Sequence, residues 1–120
     1  MNPFRDQEKF MQACDQNVDQ FDEKQYAMYV KLISEEHQEL LEATLSDDRV
    51  EQLDALIDIL VVTIGAIHSG GFEGELGWKE VMATNFAKID KETGKVRKRE
   101  DGKVLKPLGW TAPELAPFVA

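Results

Sequence analysis

Four acidic residues in the sequence are spaced so that their carboxylates could bind a divalent metal ion. Glu36 and Glu39 are three residues apart in LISEEHQELLEA, and Asp54 and Asp58 are four residues apart in LDALIDILVVTIGAIH. Residues three or four apart share one face of an α-helix, so each pair would project from one side of its helix. Hard ions such as Mg²⁺ and Mn²⁺ prefer oxygen ligands. The spacing predicts a Mg²⁺ site, with Mn²⁺ as the alternative, between two helices.

Glu36 and Asp58 occupy positions that a helix of this sequence should bury. At about 100° per residue, Glu36 falls within an apolar arc and Glu39 at its edge. The arc consists of Tyr29, Leu32, Ile33, Leu40 and Ala43. Asp58 has Ile57 and Ile59 beside it. An unpaired carboxylate in such surroundings takes up a proton or binds a cation, so a solvated-surface role does not fit either residue.

The helices that would carry these residues can be read from their ends. A short helix is predicted for residues 3–14, and a second one from the capping pair Asp22 and Gln25 to about residue 45. The pair Asp48 and Glu51 starts a third helix, which Gly70-Gly71 ends. A fourth helix is predicted over residues 78–89. The 120 residues are therefore expected to form one all-α domain.

Two further segments follow the fourth helix. KVRKREDGKVLKP predicts a short β-hairpin that turns near Asp101-Gly102, because an Asp-Gly pair favours the positive φ of tight turns. The tail LGWTAPELAPFVA contains two of the four prolines and is expected to pack as an extended strap. Its Trp110 is expected to pack in the core, with base stacking as the alternative.

Composition excludes several classes of function. The net charge of −9 argues against a general nucleic-acid binder. Residues 1–87 contain 6 basic and 18 acidic residues, whereas residues 88–106 contain 8 basic and 4 acidic. Neither a signal peptide nor a stretch of the ~20 apolar residues that a bilayer span needs is apparent. A single cysteine is compatible with the cytosol. We expect a soluble cytoplasmic protein that binds a small polyanion.

The third helix is apolar on nearly all sides. A helix of this kind must be covered from several directions, and four helices of one small chain can hardly do so. The sequence therefore predicts a homo-oligomer, a homodimer or homotetramer, with this helix central to its interface.

The motifs resemble those of a known family. Glu35-Glu36-x-x-Glu39, followed by an acidic pair on the next helix, resembles the all-α nucleoside triphosphate pyrophosphohydrolases, the MazG-like proteins. These are related to the phosphoribosyl-ATP pyrophosphohydrolase of histidine biosynthesis and to dimeric dUTPases. The resemblance to a small MazG-like subgroup covers nearly the whole chain through MNPFRDQEKFM, LIDILVVTIGAIHSGG and VMATNFAKIDKETGKVRKREDGKVLKPLGW. It implies a four-helix MazG-like bundle.

The second acidic pair departs from the family pattern, which is Glu-x-x-Asp. The residue three positions before Asp58 is Ala55, and Asp54 stands one position earlier. Either Asp54 substitutes in this motif, or the motif is Glu51-x-x-Asp54. The sequence does not decide between these alternatives, so the identity of the third and fourth metal ligands stays open.

The resemblance implies hydrolysis of a nucleoside triphosphate, NTP or dNTP, to the monophosphate and pyrophosphate, in control or house-cleaning of nucleotide pools. Glu36, Glu39, Asp54 and Asp58 would then hold Mg²⁺. The predicted catalytic residues are Glu35, Glu36 and Glu39, of which Glu35 or Glu39 would accept the proton of the attacking water. The predicted substrate-binding residues are Asn85, Lys88, Arg97, Arg99, Lys103 and Lys106.

Two other interpretations stay open at this point. Within the same class of enzyme, the substrate could be phosphoribosyl-ATP. In a different class, the chain would be a non-catalytic helical interaction module, in which the acidic residues only form salt bridges to the basic hairpin. The base and the sugar of the substrate are not determined by the sequence, because small contacts decide them.

Overall fold

The computed structural model describes residues 2–119 and contains four α-helices within that range, which confirms the predicted all-α class. Met1 and Ala120, which belong to the first segment of the resemblance and to the predicted tail, lie outside the described residues. The helices are α1 (Pro3–Ala13), α2 (Glu23–Leu45), α3 (Arg49–Ser69) and α4 (Gly74–Phe86), and a short 3₁₀ helix covers Ala116–Phe118. No helix in the described part of the chain is long and apolar enough to cross a membrane.

The starts of α2 and α3 are capped by the aspartates that the sequence indicates. The Asp22 side chain accepts a hydrogen bond from the backbone N–H of Gln25 at 3.0 Å. The Asp48 side chain accepts one from the backbone N–H of Glu51 at 3.1 Å. Each carboxylate satisfies a backbone donor that has no partner within the helix, so both predicted starts are confirmed.

The helix α3 ends where the two glycines follow it. Gly71 has a φ of +71°, its N–H donates to the His68 carbonyl, and the Phe72 N–H donates to the Ile67 carbonyl. This is the Schellman arrangement, in which a residue in the left-handed region closes the last turn. A Cβ atom on Gly71 would lie 2.8 Å from the backbone nitrogen of Phe21, so glycine is required there for space as well as for φ.

The described residues fall into two compact units. One consists of the residues up to Gly74 together with Val119, and the other is Glu75–Phe118. In the first unit, α3 packs against both α1 and α2. Its core contains Met11, Tyr29, Val62 and Ala66. The expectation of a single domain stays a prediction.

The antiparallel pair α2 and α3 is held in one register by three contacts. At one end, the Gln25 side-chain amide donates to Ser69 Oγ at 2.8 Å. At the other end, the Gln52 side-chain amide donates to the carbonyl of Ala43 at 3.3 Å. Between them, the Tyr29 ring lies directly on Gly65, which has no side chain to hold it away. The small glycine lets the two helices approach closely at this point.

The helix α4 differs from the predicted range of residues 78–89 at both ends. It begins earlier, at Gly74, within a segment that carries four glycines among the eight residues from Gly70. It ends earlier because Trp110 Nε1 donates to the Thr84 carbonyl at 2.7 Å, while the Lys88 N–H turns to the Asn85 carbonyl at 3.1 Å. The Thr84 carbonyl therefore accepts a hydrogen bond from a tryptophan of the tail instead of from the backbone N–H of a further helical turn.

The predicted β-hairpin is not formed as paired strands in the described residues. The turn is present, with Gly102 at a φ of +87°, but a single antiparallel bridge joins Lys98 to Val104. A second bridge joins Ile89 to Val96. The segment is mostly charged and exposed, so it lacks the apolar face that a stable two-stranded ribbon needs. The tail contacts α4, because the backbone N–H of Glu114 donates a hydrogen bond to Glu80 Oε2 at 2.8 Å.

We expect Gly65→Ala to destabilise the protein by about 1–3 kcal/mol, because its new methyl group would overlap the Tyr29 ring. The matched control is Gly77→Ala in α4, where the added atom would meet only Leu115 Cδ2, at 3.8 Å. This control should be neutral or more stable by up to about 1 kcal/mol, since alanine is the better helix former. Urea unfolding measures both, and equal midpoints for Gly65→Ala and the wild type would contradict the proposed close contact.

Candidate functional site

The register of α2 and α3 sets Glu36 opposite Asp58. Seven residues after Tyr29 on α2 is Glu36, and seven residues before Gly65 on α3 is Asp58. Seven residues correspond to about two helical turns, so both side chains stay at the interface where the tyrosine meets the glycine. Glu36 and Asp58 are half-buried there.

Glu36 is surrounded by negative charge. Burial, a hydrogen bond with the Glu39 carboxyl, and the charges of Glu39, Asp58 and Asp54 raise the pKa of Glu36 to about 7. Its Oε2 atom is buried and has no hydrogen-bond partner. The ion pairs formed among residues 2–119 include none of these four carboxylates. Glu36 therefore stands in a group of like charges that the described side chains do not neutralise.

Asp58 shares this environment. Burial raises the pKa of Asp58, and the charges of Asp54 and Glu39 raise it further. The four acidic residues that the sequence singled out as metal ligands are thus brought within electrostatic range of one another. We call Glu36, Glu39, Asp54 and Asp58 the acidic cluster.

A cleft of about 440 Å³ adjoins the acidic cluster at the end of the helix pair where α2 turns into α3. Its walls include two members of the cluster, Glu39 and Asp54, and two further carboxylates, Glu42 and Glu51. Glu42 is not among the site residues predicted from the sequence. The sequence feature that indicates Glu42 is its position three residues after Glu39. Glu51 and Asp54 have the same spacing on α3.

The position of Glu51 bears on the unusual second motif. Glu51 and Asp54 line the same cleft, whereas Asp58 lies on the Glu36 side of the cluster. Both alternatives for the motif therefore place acidic groups at this site, and α3 carries three of them along one edge. Glu35, the remaining predicted catalytic residue, is exposed on α2.

The acidic cluster suits a hard divalent cation by the chemistry of its donors. Carboxylate oxygens are the preferred ligands of such ions, and the buried Glu36 Oε2 lacks any other partner. Among residues 2–119, no three Asp, Glu, His or Cys side chains are arranged around one point as ligands. Glu39 and Asp54 are exposed, so rotation of these two side chains towards Glu36 would leave the core in place.

The predicted substrate-binding residues belong to the unit formed by Glu75–Phe118. They form two groups, one near Trp110 and its neighbouring cavity and the other at the exposed turn. Asn85 Oδ1 accepts a hydrogen bond from Lys88 Nζ at 3.1 Å. The ammonium groups of Lys88 and Lys106 lie 5.0 Å and 4.8 Å from the centre of the Trp110 ring, as cation–π contacts. Lys88 and Arg97 line one cavity.

The other two basic candidates are at the exposed turn of the same unit. The guanidinium of Arg99 forms an ion pair with Asp101, which lowers the pKa of that carboxyl. Lys103 is exposed, and its backbone N–H donates to Asp101 Oδ1 at 3.1 Å. A role for these residues in binding phosphate stays a prediction.

The model of the phosphoribosyl-ATP pyrophosphohydrolase family matches residues 5–85, which is more than half of the chain. The chain belongs to the phosphoribosyl-ATP pyrophosphohydrolase family. No curated protein matches it significantly.

Membership of the phosphoribosyl-ATP pyrophosphohydrolase family, within the MazG-like all-α superfamily, confirms the resemblance drawn from the motifs. It supports pyrophosphohydrolase activity on a nucleotide. The match includes the whole acidic cluster and reaches Asn85, whereas Lys88, Arg97 and the other basic candidates lie beyond it.

Without divalent ions, we expect the free energy of unfolding to decrease as pH rises from about 4.5 to about 7. In the unfolded chain Glu36 loses its proton near its ordinary pKa of 4.5, whereas the folded protein retains the proton up to about 7. The folded state binds more protons in this window, so it loses stability as pH rises. Thermal unfolding in EDTA measures the effect, and Glu36→Gln, which cannot titrate, should show a smaller decrease.

The matched control for this experiment is Glu35→Gln, which changes the adjacent, exposed carboxylate on the same helix. It should follow the pH dependence of the wild type. Equal slopes for the wild type and Glu36→Gln would contradict the electrostatic role assigned to Glu36.

Proposed function

We propose that this protein hydrolyses a nucleoside triphosphate, NTP or dNTP, at the α–β phosphoanhydride bond in a Mg²⁺-dependent reaction. Mn²⁺ is the alternative ion. The observation that carries the proposal is the group of like charges around Glu36, which raises the pKa of its carboxyl to about 7. Carboxylate groups held close together attract a hard divalent cation, and family membership gives the type of reaction.

The proposed reaction transfers the nucleotidyl group, which contains the α-phosphorus, to water. The water oxygen attacks the α-phosphorus, and the bond from that phosphorus to the oxygen bridging to the β-phosphate breaks. Pyrophosphate leaves with the bridging oxygen, the nucleoside monophosphate remains, and a carboxylate accepts the proton of the water. Glu35 is one candidate for this base because it is exposed and outside the acidic cluster. Glu39, in the wall of the cleft, is the other.

The acidic cluster would hold the metal ion in this proposal. When bound, Mg²⁺ neutralises phosphate charge and lowers the pKa of coordinated water. Glu36 would contribute an oxygen that has no other partner, and Asp58 would support it from α3. Binding the ion requires Glu36 to give up its proton, so affinity for Mg²⁺ should increase as pH rises through about 7.

Phosphoribosyl-ATP is the second candidate substrate, because the matching family is described by that name. It carries the same triphosphate, so the same groups would act on the same bond. For either substrate we propose that basic and amide side chains of the Glu75–Phe118 unit bind the phosphates, and that the reaction occurs in the cytoplasm. These side chains are Asn85, Lys88, Arg97, Arg99, Lys103 and Lys106.

We expect the protein to release pyrophosphate from at least one member of a panel containing NTPs, dNTPs and phosphoribosyl-ATP, in Mg²⁺ and not in EDTA. Glu36→Gln and Asp58→Asn should each lower kcat/KM by about 100-fold or more, since each removes a charge that would bind the ion. The matched control is Glu23→Gln, an exposed carboxylate in the first turn of α2.

The outcomes of this assay separate the open interpretations. If Glu36→Gln and Asp58→Asn lose activity while they remain folded, and Glu23→Gln is unaffected, the non-catalytic interaction module is excluded. Absence of pyrophosphate release from the entire panel, or equal activity in all variants, would disprove the hydrolase proposal. The ranking of kcat/KM values decides between phosphoribosyl-ATP and the simple triphosphates.

We also propose that the protein is a homodimer or homotetramer. The helix α3 carries large aliphatic side chains that remain between 37% and 62% exposed. They form an apolar stripe of Leu53, Leu56, Ile57, Leu60 and Val61. A contiguous patch of this kind on a small chain marks an interaction surface, and a second copy presents the same patch with matching shape.

Leu53→Glu should therefore shift the protein towards the monomer, because it would bury a charge within the proposed interface. Phe10→Glu on α1 is the matched control, since both residues are 62% exposed and Phe10 lies outside the stripe. Sedimentation velocity measures both variants. A wild type that sediments as a monomer at micromolar concentration would refute the proposal.

A further inference from the structure

The tyrosine that lies between α2 and α3 is itself held by residues outside that helix pair. The Tyr29 side chain is 6% exposed, and its hydroxyl donates a hydrogen bond to Gln16 Oε1 at 2.6 Å. Gln16 belongs to the segment between α1 and α2. The ring that meets Gly65 therefore has a second anchor at its hydroxyl, where α1 ends.

The backbone of Gln16 is fixed by the last turn of α1. Asp15 has a φ of +58°, and its N–H donates to the Gln12 carbonyl at 3.1 Å. The Gln16 N–H donates to the Met11 carbonyl at 3.0 Å. These two bonds form the Schellman arrangement, here with an aspartate in the left-handed region, which aspartate adopts more readily than most residues. The position of Gln16 is consequently tied to α1.

A second glutamine acts on the same hydroxyl from within α1. Gln7 is 7% exposed and lies four residues before Met11, which is fully buried in the same core as Tyr29. Burial raises the pKa of the Tyr29 hydroxyl, and hydrogen bonds with Gln16 and Gln7 oppose that rise. A buried amide needs hydrogen-bond partners, and this hydroxyl provides one. We call Gln7 and Gln16 the glutamine clamp.

The clamped tyrosine is two helical turns from Glu36 on α2, and Gly65 is two turns from Asp58 on α3. Two turns span about 11 Å along the axis, a distance over which an α-helix bends little. A change in the position of Tyr29 therefore displaces Glu36 relative to Asp58. Distances from a metal ion to its ligands vary by only about 0.2 Å, so a small displacement changes the affinity for the ion.

We infer that Gln7 and Gln16 are positioning residues for the acidic cluster. By holding the Tyr29 hydroxyl they set Glu36 against Asp58, and α1 thereby controls the affinity of the cluster for a divalent ion. The use of the cluster as a metal site rests on the proposed function. The coupling is reciprocal, so ion binding must stabilise the contact between the clamp and Tyr29 to the same extent.

The first experiment measures Mn²⁺ binding to the full-length protein by electron paramagnetic resonance without nucleotide. Tyr29→Phe keeps the ring on Gly65 and removes only the hydroxyl, so it should weaken Mn²⁺ binding by about fivefold, the effect of one lost hydrogen bond. The matched control is Tyr26→Phe, which removes the same group three residues earlier on α2, where the ring packs edge-on against Phe21 and Phe72. This control should bind Mn²⁺ like the wild type.

Variants of Gln16 test whether the clamp and the tyrosine act through one contact. Gln16→Met removes the acceptor from a half-buried side chain, so it should keep the fold and weaken Mn²⁺ binding as Tyr29→Phe does. Because both changes delete the same bond, the double variant should lose no more affinity than either single variant. Gln16→Glu keeps an acceptor oxygen and should retain the wild-type affinity within about twofold.

A spectroscopic measurement separates positioning from general support of the fold. In ¹H–¹⁵N spectra of the wild type, the side-chain amide resonances of Gln7 and Gln16 should shift as Mg²⁺ is added. They should follow the same saturation curve as the backbone amides of residues 36–58. In Tyr29→Phe the resonances of the glutamine clamp should no longer respond to Mg²⁺.

Three results would overturn the inference while the wild type binds the ion. They are equal Mn²⁺ affinities of Tyr29→Phe and the wild type, equal losses in Tyr29→Phe and Tyr26→Phe, and clamp resonances that Mg²⁺ does not move. Each of them leaves the proposed function intact. A wild type that binds no Mn²⁺ contradicts both proposals, whereas a protein that binds Mn²⁺ but releases no pyrophosphate contradicts the proposed function alone.

Discussion

Mutual repulsion of carboxylates between α2 and α3 is the constraint on which the rest of the first unit depends. The helices approach closely because the Tyr29 ring rests on Gly65, and the same register sets Glu36 against Asp58. Burial and like charge together keep a proton on Glu36 up to about pH 7. The fold therefore maintains an arrangement that a bound cation would relieve, and this connects its packing to its proposed chemistry.

The helix ends make that arrangement possible. Aspartates cap the starts of α2 and α3, and Gly71 closes the end of α3 in the left-handed region. The interhelical bond from Gln25 to Ser69 then fixes where one helix stands along the other. Because side chains on a helix repeat about every seven residues, one fixed contact determines which residues meet two turns away. A hydrogen bond between residues 44 positions apart, acting together with the capped helix ends, thus decides which side chains form the acidic cluster.

The second unit is organised by a different interaction. Trp110 takes the Thr84 carbonyl and thereby ends α4, while its ring contacts the ammonium groups of Lys88 and Lys106. The predicted hairpin keeps its turn at Gly102 but has single bridges in place of strands. Tight turns follow from local residue types, whereas strand pairing requires an apolar face to bury, which this charged segment lacks.

The sequence by itself determined the helical class, the starts of α2 and α3, and the spacing that puts an acidic pair on one face of each of these helices, because capping and i,i+3 or i,i+4 spacing act over a few neighbouring positions. It also indicated that Glu36 lies on the packed side of α2, where the structure leaves it half-buried, since one helical face carries that information. Only the tertiary structure decided that Glu42 and Glu51 share a cleft and that α4 ends at Phe86. Contacts between residues distant in sequence produce these features, and Trp110 reaches Thr84 across 26 positions, beyond the range of any local pattern.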